Sequence, residues 1–270
     1  MPQTMPDQFS HTKRIKGINK IGLYTLIRRE VDRFLAVYTQ TIIAPVITTL
    51  MYYTVFALAF GGLARQVNGI SFLQFLAPGL IMMTMVQNAF ANTSSSLVIS
   101  KVQGNIVDVL MPPLSAFEIF LGYTLGSLFR GLVVGLCVTV VLSLFAPIHV
   151  HSIFAIIGFA VLGNLMLGSL GLAAGIWSDK FDHIAAVTNF IVTPMTFLSG
   201  TFYSVSMLPP VWQEIVHYNP FFYMIDGFRY GFTGHADGRL WMGTILLIIC
   251  NILLAFLSYR MIKTGYKIKS

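Results

Sequence analysis

The chain is 270 residues long, 56% hydrophobic and only 10% charged, with a mean hydropathy of +0.75. Soluble domains carry about 25% charged residues, so this composition excludes an ordinary soluble enzyme, a nucleic-acid-binding domain and a disordered chain. A multi-pass membrane protein remains, and the net charge of +7 is read by where it falls along the chain.

Residues 1–17 are polar and lack the apolar h-region of a cleavable signal peptide. They read as a polar tail ahead of a single membrane domain over 18–270. Residues 18–38 place Ile21, Tyr24, Ile27, Val31, Phe34, Leu35 and Tyr38 at helical spacing. Lys20, Arg28, Arg29, Asp32 and Arg33 lie largely between them. An amphipathic helix on the cytoplasmic membrane surface is expected, either as a plain anchor for the first span or as a contact for a cytoplasmic partner.

A membrane-spanning helix needs roughly 20 mostly apolar residues. Uncharged runs cover 34–64, 66–100, 131–178, 183–213 and 240–259. The run 131–178 is too long for one helix and breaks at Pro147-Ile-His-Val-His151-Ser152. Six spans are therefore predicted, at about 38–60, 71–93, 117–146, 153–177, 184–204 and 240–261. The fold class is all-α; a barrel would alternate apolar and polar residues in short segments.

Between spans two and three, Ser100–Ser115 carries a small apolar face (Ile106, Val109, Leu110) beside polar Lys101, Asn105 and Asp108. Pro112-Pro113 ends any helix there. The segment reads as a tight turn or as a short helix that fits a partner's groove. The stretch 205–239 before the last span is long and aromatic, yet its uncharged part, 215–225, is too short to span. It reads as two short helices broken at Asn219-Pro220, capping or re-entering the outer leaflet, or as a plain aromatic interface belt.

Lys and Arg gather on the cytoplasmic side. Thirteen fall in the N-terminal segment, the C-terminus and the two loops holding Lys101 and Lys180, against three (Arg65, Arg229, Arg239) on the other side. Both termini are expected in the cytoplasm, with some of the basic residues meeting anionic lipid. Cys137 and Cys250 fall inside predicted spans and read as small core residues.

Two segments carry a family resemblance. Leu208-Pro-Pro-Val-Trp-Gln-Glu-Ile-Val-His-Tyr-Asn-Pro-Phe-Phe-Tyr-Met-Ile-Asp-Gly-Phe-Arg-Tyr230 resembles the signature before the last span of type-2 ABC exporter permeases. Val102-Gln-Gly-Asn-Ile-Val-Asp-Val-Leu-Met-Pro-Pro-Leu-Ser-Ala-Phe-Glu118 resembles their coupling helix and the start of their third span. Order, spacing and span number agree over all but residues 1–16. The coupling segment departs from the pattern in being sparsely charged. The resemblance implies a homodimer in the bacterial cytoplasmic (inner) membrane, with two ATP-binding ABC subunits docked on it and ATP and Mg held by those subunits. It implies coupling through Gly104, Asn105, Ile106, Asp108 and Leu110, with Arg28 and Arg29 beside them. It implies an outer gate built on Pro209, Trp212, Asn219, Pro220, Phe221, Asp226 and Arg229. The expected cargo is amphipathic, lipid-like or glycan, and multidrug export belongs to the same family.

The chain has no Gly-Lys pair and so no P-loop of its own, which makes it a transport subunit without its own ATPase and with no cofactor or metal of its own. Leu198-Ser199-Gly200 sits in a predicted span and is set aside as an ATPase signature; His149 and His151 are too few for a metal site.

Arg130 lies inside a span, twelve residues beyond Glu118 and roughly 18 Å deeper at 1.5 Å per residue. A charge there must face protein or water. It reads as a structural bridge to backbone carbonyls or an acid, or as a contact for an anionic substrate; Glu118 reads as an interfacial cap or a partner of Arg28 or Arg29. Gly122/Gly126, Gly131/Gly135 and Gly171/Gly175 allow close helix packing, expected within one subunit. An ion-coupled carrier is the alternative reading, weakened by the absence of a mid-span acid.

Overall fold

The computed structural model describes residues 17–60, 66–67 and 69–267. The polar tail 1–16, Arg65 and Lys269 lie outside the described residues.

Helix α1 (Lys20–Ala36) begins at Asn19, whose side chain accepts the Gly22 N–H. After a break at Val37–Tyr38, a π-helical turn (Thr39–Ile43) leads into α2 (Ala44–Phe60). Pro45 accounts for the wide turn: its ring would clash with the carbonyl four residues back, at Thr41. A short antiparallel hairpin, β1 (Gln66–Val67) with β2 (Ile70–Ser71), turns at Gly69 with φ 81°. The all-α expectation omitted it.

The central helix α3 (Phe72–Val102) is buried along most of its length. It outruns the predicted end at residue 93. The polar run Asn92–Ser96 stays helical because its groups are satisfied in place: Ser94 Oγ donates to the Phe90 carbonyl at 2.8 Å and Thr93 Oγ1 to the Gly168 carbonyl at 2.8 Å. Short α4 (Ile106–Leu110) follows, then α5 (Ala116–Ser143) and α6 (Ile153–Trp177). Ser115 opens α5 with a capping box, accepting the Glu118 N–H while the Glu118 carboxylate accepts the Ser115 N–H.

The predicted span 184–204 is built from α7 (Phe181–Val187), a π-helical turn (Thr188–Val192) and α8 (Thr193–Leu198). Pro194 stands to this turn as Pro45 does to the first. The helix ends at Leu198, and residues 199–204 turn instead of continuing. Beyond a 3-10 turn (Val205–Met207) come α9 (Pro210–Val216), α10 (Pro220–Thr233) and α11 (Leu240–Thr264).

Among the described residues, five helices are long and apolar enough to cross a membrane: Thr39–Phe60, Phe72–Val102, Ala116–Ser143, Ile153–Trp177 and Leu240–Thr264. They correspond to predicted spans one, two, three, four and six.

The bundle closes around α3 through small residues. A Cβ on Gly131 would strike the Asn164 side chain, and one on Gly135 the Met85 side chain. Gly171 and Gly175 of α6 lie against α3 at Phe90 and Ser94. The small-residue pairs therefore serve packing within one chain.

Candidate functional site

At one end of the bundle lie α1, α4 and the C-terminal ends of α3, α6 and α11. Helix α1 lies on α5. Leu26 packs directly over Gly122, and a Cβ on Gly126 would stand 2.6 Å from that of Glu30. The buried line of α1 is Leu26, Glu30 and Phe34, one residue per turn. Of the apolar face read from the sequence, Phe34 lies on this line, but Ile21 is 82% exposed and Tyr24 64%. So α1 is not a helix with one apolar side. One line locks to the protein, and much of the predicted apolar face remains free for lipid.

Glu30 is the centre of that lock. Its carboxylate accepts from Ser96 Oγ at 2.8 Å and pairs with Arg33 at 3.1 Å. Arg33 in turn donates to the Asn92 carbonyl at 2.8 Å and to Asn92 Oδ1 at 2.9 Å. Arg33 stands three residues after Glu30, a helical spacing, but the partners on α3 are not apparent from sequence spacing, and Glu30, Asn92 and Ser96 were absent from the expected site.

Arg28 and Arg29 are exposed. Arg28 pairs with Asp32 at 3.5 Å, so the expected pairing of Glu118 with Arg28 or Arg29 is not formed. The Glu118 carboxylate is consumed by its own helix cap and by the backbone N–H of Asn19. It thereby fastens the start of α1 to the start of α5.

The expected coupling residues divide in two. Gly104 has φ 75°, the left-handed conformation that glycine adopts freely, and it turns the chain into α4. Ile106 and Leu110 face inward and pack with buried Val109 on a small core that includes Leu26, Leu97, Ile119 and Ile262. Asn105 and Asp108 face out with Gly104, joined by Val107 at 54% and Met111 at 75% exposure. The outward apolar contact of α4 is therefore Val107 and Met111, which the sequence reading did not single out.

Basic residues counted as orientation signals also cap helices. Lys101 donates to the Ile176 carbonyl and, at 3.1 Å, to that of Ser178. Lys267 donates to the Trp177 carbonyl at 3.1 Å and to Asp179 at 2.8 Å. Cations suit the negative end of a helix. The hydrogen bond from Lys267 holds the exposed Asp179 carboxyl below its usual range, and Asp179 raises the Lys267 amine.

Arg130 is buried, and its Nη2 donates to Asn88 Oδ1 at 2.9 Å. Neither a backbone carbonyl nor an acid accepts from it among the described residues; the neutral side-chain amide of Asn88 takes the bond in place of the expected backbone or acidic partner. Asn88 also lines a polar groove of about 260 Å³ between α2 and α3, with Gln40, Thr48, Thr49, Thr84 and Gln87.

At the opposite end, the break at Asn219-Pro220 falls where the sequence placed it. Asn219 caps α10, its Oδ1 accepting the Phe221 N–H at 3.0 Å. Helix α10 is packed into the bundle: Phe221 to Arg229 are all buried. Asp226 accepts the N–H groups of Asp237 at 3.0 Å and Gly238 at 2.9 Å and lies 4.0 Å from Arg229. Arg229 donates to the carbonyls of Gly200 at 2.6 Å and Phe75 at 3.2 Å, and stacks 3.8 Å over the Phe75 ring. Two of the expected gate residues are thus a buried clasp joining α10 to α3 and to the turn after α8. Pro209, at the start of α9, and Trp212, exposed on α9, line an apolar groove of about 620 Å³ with Leu198, Tyr203, Ile215 and Pro220.

A bundle of long apolar helices, with a short outward helix at the basic end and a broken helical pair at the other, defines a multi-pass membrane transport protein. Residues 22–233 match the family model described as ABC-2 type transporter, and the chain belongs to that family as a type-2 ABC permease. It is 37% identical over 250 residues to the inner membrane transport permease YadH of Escherichia coli, covering 93% of this chain and 98% of YadH. Nodulation protein J of Neorhizobium galegae is 24% identical over 192 residues, 70% of this chain and 73% of that protein. Nodulation protein J of Sinorhizobium fredii is 22% identical over 213 residues, 78% and 81% of the two chains. Membership in this family displaces the ion-coupled carrier.

Proposed function

We propose that the chain is the membrane subunit of an ATP-driven exporter of the bacterial inner membrane, working as a homodimer with two ATP-binding subunits that carry ATP and Mg. The name of the Escherichia coli relative supports the inner membrane. Both termini lie in the cytoplasm, and the sixth crossing is made by α7, the π-helical turn and α8.

The observation that carries this reading is the placement of α4. It stands at the basic end with Asn105, Val107, Asp108 and Met111 outward, while its inner face packs on the core shared with α1 and α5. A push on its outer face is passed to α5 and to α1, and from α1 through Glu30 to Ser96 of α3. Arg28 and Arg29 offer positive charge beside it. The cargo is amphipathic, lipid-like or glycan: the groove between α2 and α3 offers amides and hydroxyls between largely apolar helices. Asn88 presents to that groove a side chain already polarised by Arg130. At the outer end, α9 and α10 form the exit gate.

The test is a double substitution, Val107→Asp with Met111→Asp, on the outer face of α4. The expected result is loss of co-purification with the ATP-binding subunit at unchanged thermal stability. Retained co-purification overturns the docking assignment.

A further inference from the structure

Between α6, α7 and α11, at the basic end, lies an open apolar cleft of about 560 Å³. Leu170, Val187, Ile191 and Leu257 form its walls, with Trp177 and Arg260 also lining it. We infer that this cleft binds an anionic diacyl phospholipid from the leaflet at the basic end, an acyl chain lying in the cleft and the phosphate meeting Arg260.

The charges around the cleft select this occupant. Lys101 and Lys267 spend their ammonium groups on the carbonyls that end α6, and Lys267 also on Asp179. Arg260 is exposed, and its contact among the described residues is with the face of Phe256, 5.7 Å from the ring centroid. That leaves its guanidinium donors available for the paired oxygens of a phosphate. Trp177 and Tyr266, both half exposed, flank it in the position that amphipathic rings take at the headgroup level. An apolar wall below, a guanidinium above and aromatic rings at the boundary match the build of an anionic lipid from tail to head. A polar substrate would leave the wall unused. A zwitterionic lipid would bring its own cation to Arg260.

The test is native mass spectrometry of the purified full chain. The protein is equilibrated with equimolar phosphatidylglycerol and phosphatidylcholine of identical acyl chains. The wild type is expected to retain the anionic lipid about fivefold over the zwitterionic one, the effect of one basic residue near the surface. Arg260→Gln is expected to abolish that preference with thermal stability unchanged. Lys263→Gln, at the same end but outside the cleft, is expected to keep it. Equal retention of the two lipids by the wild type, or an undiminished preference in Arg260→Gln, overturns the assignment. So does Leu257→Cys, in a chain carrying Cys137→Ser and Cys250→Ser, if it cross-links between two copies while lipid is absent, since the cleft would then be covered by a second chain.

Discussion

The carboxylate of Glu30 accepts a 2.8 Å hydrogen bond from the hydroxyl of Ser96, 66 residues further along the chain. This contact fastens α1 to the central helix α3. It makes α1 a packed part of the bundle and not only an anchor, because any movement of α1 is carried to the helix around which the bundle packs.

Glu30→Ala strands Arg33 against Asn92 without its acid. Breaking a buried pair from one side costs about 3 kcal/mol, whereas a single interhelical hydrogen bond in a membrane protein is worth about 0.6 kcal/mol. Thermal unfolding in detergent is therefore expected to drop strongly for Glu30→Ala and only slightly for Ser96→Ala. Equal effects would mean that the ion pair does not hold the junction.

Gly122 leaves room for Leu26 of α1. Gly122→Leu is expected to lift α1 from α5 while the other helices stay packed. Limited proteolysis should then cut within α1 and spare α5. A proteolysis pattern like that of the wild type would show that α1 tolerates the added side chain.

Asp226 holds two backbone N–H groups and faces Arg229 across 4.0 Å. Asp226→Ala leaves a fully enclosed guanidinium without its acid and should destabilise the chain by about 3 kcal/mol. Asp226→Asn, which keeps one acceptor oxygen, should cost less. Unfolding midpoints of the two variants decide this. If both matched the wild type, the clasp would be idle.

The exposed pair of Lys267 with Asp179 should behave oppositely. Exposed pairs contribute little, and Asp179→Ala is expected to leave the unfolding midpoint nearly unchanged near neutral pH. The sign of its small effect follows from the two shifts. The depressed Asp179 carboxyl contributes above its unfolded value and is lost as pH falls through the folded one. The raised Lys267 amine contributes below its unfolded value and is lost as pH rises through the folded one. A midpoint difference that vanishes at acidic pH checks this direction.

Much of this arrangement was legible in the sequence because it is local. Pro112-Pro113, Asn219-Pro220, Ser115 with Glu118, and Gly104 each act within a few residues, and the structure places a helix stop, a helix break, a capping box and a left-handed turn at them. The long apolar runs gave five of the expected spans for the same reason. What was not legible depends on partners far along the chain. The helix runs on through Asn92–Ser96, past the predicted end at 93, because Glu30 and the carbonyl of Gly168 satisfy its polar groups. Glu30 looks solvated until α5 offers Gly126 beneath it. On α4, Ile106 and Leu110 are drawn inward by the core around Val109, which leaves Val107 and Met111 outside.

The most direct test of the account is purification of the tagged chain in mild detergent, with mass spectrometry of the complex and an ATPase assay. The account predicts a stoichiometric ATP-binding subunit with vanadate-sensitive hydrolysis, both lost in the Val107→Asp, Met111→Asp variant. A pure homo-oligomer without ATPase activity, under conditions that preserve known complexes of this kind, would contradict it.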